Sequence, residues 1–257
     1  MVFAVVCFGE DRRHETMHLL HDLRNLGQKV YLLTNIDIHL SHFQFNNVIE
    51  LKSYEEKWND FQRFLVIKYA FEHSGENYVY YLDSDSRFFN YRDEKFDMEK
   101  FHTLLDNTNF DVMSSCFLDP IKTQLVPPNP DENKDIRNFT FGHQSIIDYF
   151  KSKNPNYDTI INYKQPLETL LIFKRSEKMF SYINDMIETM HLLKSEDEKF
   201  GRKHLACACG FAMTYMSHVH NINIVMNKIV YHFFKGNFTR EVFPFNRPIN
   251  LSEKLFS

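Results

Sequence analysis

Apolar residues fall along this chain in two alternating patterns, short unbroken runs and repeats spaced three or four apart, which mark buried strands and amphipathic helices respectively. Val2 to Phe8 is the first run and stops at Gly9-Glu10-Asp11. Leu19, Leu20, Leu23 and Leu26 then recur at helical spacing until Gly27 supplies a stop, and Lys29 to Thr34 returns as a strand. This strand, helix, strand opening predicts an α/β sheet with a right-handed crossover, in which ligands gather beyond the carboxyl ends of the strands. Those ends are Phe8-Gly9 and Thr34-Asn35. Trp58, Phe61, Leu65 and Tyr69 predict a long second helix closing near Gly75, followed by a hydrophobic strand from Tyr78 to Leu82.

Further along, Met98, Phe101, Leu104 and Leu105 mark a helix, and Asp111 to Phe117 reads as a strand that leads into a loop rich in proline (Pro120, Pro127, Pro128, Pro130). Leu167 to Lys174 is expected to be a strand. Phe180, Ile183, Ile187 and Met190 give one face of a helix, and Leu205 to His218 a further helix. Asn221 to Met226 and Ile229 to Phe234 read as strands. The proline-rich loop and the charged stretch Lys194 to Lys203 interrupt the pattern, but more αβ elements follow each and would be hard to bury alone. The expectation is one α/β domain over residues 1–257, with a central, mostly parallel mixed sheet flanked by helices. Residues 1–117 and residues 118–257 would form its two halves.

Composition narrows the chemistry. The formal charge of -4, from 30 basic and 34 acidic residues mixed along the chain, gives no broad basic surface, which argues against nucleic acid as a partner. Only 7 Gly accompany 26 Phe, so glycine-rich phosphate cradles are missing and a phosphate-handling site would need a metal or cationic side chains. Cys7, Cys116, Cys207 and Cys209 have neither the number nor the spacing of a zinc quartet or a disulfide framework, and read as buried thiols. The Met1 to Phe8 run lacks a basic flank and is too short to span a bilayer, so the expectation is a soluble, cytoplasmic chain without a membrane span.

The strongest constellation is Tyr78-Val79-Tyr80-Tyr81-Leu82-Asp83-Ser84-Asp85, where an apolar strand delivers two carboxylates at i and i+2 into the loop beyond its end. Two carboxylates so placed can bind one hard cation, which can share its remaining oxygen sites with a diphosphate. The segment resembles the Asp-x-Asp motif of GT-A fold glycosyltransferases that use nucleotide sugars. The resemblance implies Mn²⁺ or Mg²⁺ held by Asp83 and Asp85, with Asp83 also facing the donor, Ser84 beside it, and a UDP-sugar as the expected donor. It further implies a late metal ligand and a basic residue. His232 and Lys235 in Tyr231-His232-Phe233-Phe234-Lys235-Gly236 resemble that element, with His218 and His220 as a competing pair. Arg63 or Lys68, on the helix before the acid pair, is expected to reach the diphosphate, and the guanidinium fork favours Arg63. By the same resemblance residues 1–117 would be a Rossmann-like, nucleotide-sugar-binding half in which Phe8, Gly9, Thr34 and Asn35 line the base and ribose, and residues 118–257 the acceptor-binding half with the late metal-site element.

For a glycan or glycoprotein acceptor, Glu168 in Gln165-Pro166-Leu167-Glu168 is the expected general base, with Asp119, Asp185 and His143 as further acceptor contacts. Two other functions use similar residues. Phosphatases of the haloacid dehalogenase type also place Asp-x-Asp after an apolar strand, but their motif continues to Thr or Val where this chain has Arg87, and usually opens the fold. A binding relative that kept the fold without turnover is the non-enzymatic alternative.

Overall fold

A computed structural model describes residues 1–40, 44–56, 59–87, 98–114, 117–120, 150–152, 164–166, 170–199, 208–226 and 232–233. The opening follows the apolar pattern: β1 (Val2–Cys7), a single 3₁₀ turn (Glu10–Arg12), α1 (Arg13–Asn25) and β2 (Val30–Thr34). After these come β3 (Val48–Lys52), α2 (Phe61–Ser74), β4 (Tyr78–Asp83) and β5 (Ser86–Arg87). The chain continues through α3 (Met98–Asn107), β6 (Val112–Ser114), β7 (Phe117–Pro120), β8 (Lys164–Pro166) and β9 (Leu170–Lys174). It then forms α4 (Glu177–Lys199), α5 (Ala208–Val219), β10 (Ile224–Met226) and β11 (His232–Phe233).

Seven strands form one sheet in the order β10-β6-β9-β4-β1-β2-β3. All neighbours are parallel except β9, which runs antiparallel to both β4 and β6. The sheet is therefore mixed and mostly parallel, and strands from both halves of the chain are interleaved in it. Its strands are apolar on both faces because helices cover both. Val2, Ala4, Val6, Tyr31, Leu33, Val79, Tyr81, Leu171 and Phe173 share one buried cluster with α2, α4 and α5. The alternate residues Phe3, Val5, Cys7, Leu32, Tyr80, Leu82 and Ile172 share the other with α1 and α3. This is the period of two expected of a pleated strand.

Several expectations needed adjustment. On α2 the buried stripe is Phe61, Phe64, Ile67, Ala70 and Phe71, while Leu65 is exposed, so the apolar face is rotated from the one the Trp58 register implied. The segment expected as one strand from Asp111 to Phe117 is divided between β6 and β7, and Pro120 belongs to β7. Helix α4 runs on to Lys199, through charge that had read as an interruption. Strand β3 was not anticipated, because Glu50 and Lys52 break its apolar run. Among the described residues, no helix is long and apolar enough to cross a membrane.

Candidate functional site at the carboxyl edge of the sheet

From β1 the chain moves outward through β2 and β3, then returns to place β4 on the other flank of β1. A parallel sheet that changes direction in this way leaves a crevice beyond the carboxyl ends of the two strands at the reversal. Val6 of β1 pairs in register with Asp83 of β4, so Phe8 and Gly9 leave β1 beside the acid pair. Cys7 pairs with Thr34, which brings the end of β2 to the same edge.

The rim is fixed by backbone demands. Gly9 has φ 85° and ψ 148°, a region that side chains avoid, and a Cβ there would lie 2.6 Å from Asp11 Oδ1. The Gly9 amide donates to Asn35 Oδ1 at 3.0 Å, and Asn35 Nδ2 donates to the Glu56 carbonyl at 2.9 Å. Asn35 thus laces together the turns after β1, β2 and β3. Thr34 is fully buried, with its hydroxyl paired to the backbone of Ile36, and Phe8 is buried too. The four predicted rim residues do meet at one edge, but Thr34 faces inward and Asn35 holds the turns.

Asp83 continues the Tyr81 face of β4, where α2 covers the sheet. The Tyr81 hydroxyl donates to Asp83 Oδ1 at 2.6 Å, and Arg63 Nη2 lies 3.5 Å from the same oxygen. Arg63 also approaches Asp60 Oδ1 at 3.3 Å, donates to Cys209 Sγ at 3.0 Å, and sits 5.1 Å above the Tyr81 ring. Its side chain is only 4% exposed, which makes it a support behind Asp83 instead of the outward phosphate contact expected of it. Burial pushes the Asp60 carboxyl up to about 6, aided by the charge of Asp83 and opposed by Arg63. Burial also raises the Tyr81 phenol, with Asp83 adding to the effect, so the phenol stays a donor.

Asp85 is buried at the end of the turn, with Oδ2 3.8 Å from Arg12 Nη1. Arg12 is 41% exposed, and the same Nη1 donates to Glu15 Oε2 at 2.8 Å. Ser84 lies half-buried between the two acids. Strand β11 pairs antiparallel with β5, setting His232 opposite Arg87 and Phe233 opposite Ser86. The backbone of the late histidine is thereby drawn to the strand that directly follows Asp85.

The remaining expectations divide by position. Strand β9 opens at Leu170, opposite Leu82, so the chain enters it from the edge that bears the acid pair; Glu168 itself lies outside the described residues. His143 and Lys235 lie outside them as well, and Asp119 is described only as part of the β7 backbone. Asp185 is not at this edge. Its Oδ2 is 3.0 Å from His220 Nε2, close to Asn223, whose carbonyl receives the amides of Asp111 and Val112 at the amino end of β6. His220 is accounted for by that pair. Asp60, Tyr81 and Arg12 escaped the sequence reading. The signal for Asp60 was its place three residues before Arg63, at the helix start, and that for Arg12 was its place just beyond the end of β1.

No family model and no curated protein matches this chain.

Proposed function

We propose that this chain is a metal-dependent glycosyltransferase that moves a sugar from a nucleoside diphosphate donor, with UDP the expected nucleotide, to a hydroxyl of a glycan or glycoprotein. The observation that carries the reading is that Asp83 and Asp85 stand at the carboxyl edge of the sheet, where strand order reverses between β1 and β4, the position at which such sheets bind ligands. As a donor set, two carboxylates fit Mn²⁺ or Mg²⁺, which characteristically takes one or two carboxylates and completes its shell with phosphate oxygens and water. A bound ion would offset the negative charge that develops on the departing diphosphate.

The chain's own residues have separate tasks. Tyr81 and Arg63 hold the Asp83 carboxylate in one orientation. Arg12, partly exposed beside Asp85, offers a planar guanidinium to phosphate oxygens and takes the role first expected of Arg63. Gly9 and Asn35 shape the rim on which base and ribose would rest. Glu168 remains the residue proposed to accept the acceptor's proton, and His232 and Lys235 remain the proposed late contributors. The phosphatase reading is less well supported, because the acid pair follows the fourth strand and not the first.

Calorimetric titration of UDP and GDP, with and without Mn²⁺, on the native chain and on Asp85→Asn tests the reading. Metal-dependent binding of one nucleotide, lost in the variant, is the expected result. Binding of neither nucleotide by the folded native chain would overturn it.

A further inference from the structure

Helix α1 buries one stripe completely, through Thr16, Leu19, Leu20 and Leu23, which fixes its rotation on the sheet. Its outward stripe carries His14, His18 and His21, all exposed, at i, i+4 and i+7. The Nε2 atoms of His14 and His18 are 3.0 Å apart, with ring centroids 4.4 Å apart and planes at 85°. Two imidazole nitrogens so close share either a proton or a cation.

We propose that His14 and His18 form a second cation site, selective for a borderline transition ion such as Zn²⁺, Ni²⁺ or Cu²⁺ and independent of the acid pair. Nitrogens 3.0 Å apart, each about 2.0–2.1 Å from one ion, subtend about 90° at it, the cis angle of an octahedral or square-planar shell. The helix supplies this spacing without rearrangement, since its backbone is held by the buried stripe. Among the described residues, the arginines that precede His14 carry partners of their own. Arg12 is paired with Glu15 and Arg13 with Glu10, each at 2.8 Å. His21 turns Nδ1 to within 3.2 Å of Asn25 Nδ2, and no three such ligands converge among the described residues. Among the described residues the site has two protein ligands, and water or an incoming donor group would complete its shell. Imidazole selects against the hard ions that suit Asp83 and Asp85, so the two sites discriminate by ligand chemistry.

Calorimetric titration of the full chain with NiCl₂ or ZnCl₂ alone tests the proposal. In an Asp85→Asn background, which removes the acid pair's own claim on the metal, one equivalent is expected to bind, and His14→Asn and His18→Asn each weaken that affinity by at least about tenfold. Both histidines are exposed, so thermal melting should show the variants folded as the native chain is. Binding that survives in the triple variant Asp85→Asn/His14→Asn/His18→Asn, or no binding of either metal by the folded Asp85→Asn chain, would each overturn the proposal.

Discussion

Arg63 Nη2 lies 3.5 Å from Asp83 Oδ1, and the same guanidinium is 3.3 Å from Asp60, so one buried cation neutralises two carboxylates that approach it from different elements. Removing it leaves Asp83 with the Tyr81 hydroxyl and takes this cation from the buried Asp60. Arg63→Met is expected to cost about 3–5 kcal/mol in urea unfolding, and clearly less when Asp60→Asn is already present. Equal costs in the two backgrounds would show that Asp60 and Arg63 do not act as a pair.

Asp60 also sets a pH dependence. Its folded pKa of about 6 stands above the ordinary 3.8, so the folded chain binds this proton more tightly than the unfolded chain. The stability it contributes is complete below about 3.8 and is lost as pH rises through about 6, by roughly 3 kcal/mol across that window. Asp60→Asn should remove this component. The stability of the variant relative to the native chain, followed by thermal melting, should rise between those pH values and level off above them.

Arg12 is placed to meet a ligand and contributes little to the fold. An exposed ion pair is worth well under about 1 kcal/mol, whereas a charge-assisted bond to a phosphate is worth more. Arg12→Gln is expected to leave the melting temperature nearly unchanged while weakening Mn²⁺-dependent UDP binding by about tenfold. Uridine, which lacks the diphosphate, should bind both proteins alike.

Gly9→Ala tests the rim. At φ 85° the substitution carries a backbone penalty of about 1–2 kcal/mol that no neighbour can relieve. Adding Asp11→Ala clears the 2.6 Å contact but should not restore stability in urea unfolding. Full recovery would place the cost in that contact and not in the backbone.

The layered sheet was legible because its strands are buried on both faces and so read as apolar runs from Val2, Lys29 and Tyr78 onward. The acid pair was legible because it ends a run, Tyr78 to Leu82, that carries no charge. Less visible was anything decided by rotation or by pairing across distance. Leu65 and Phe64 are equally apolar, and only the packed structure shows which faces the sheet. Arg63 was expected to point outward, since the sequence does not reveal that Asp60 and Asp83 both need its charge. Asp185 lies on a helix whose placement carries it to the amino edge, toward His220, a relation between residues 35 positions apart. Strand β3 was missed because Glu50 and Lys52 suit an edge strand, which alternation alone does not distinguish from a loop.

The antiparallel β9 joins β4 to β6, and this has a consequence for synthesis. Residues 112–114 follow β4 closely in the chain, yet their sheet neighbours are residues 170–174 on one side and 224–226 on the other. As the chain leaves the ribosome, the first four large strands can assemble while the flank of β4 still lacks its partner. That open edge, Tyr78 to Leu82, is almost entirely apolar, and a chain stalled before residue 170 presents it to any other nascent strand. Completion of the sheet therefore waits on residues 170–174 and 224–226, and until then the segment that carries the acid pair is an open apolar edge.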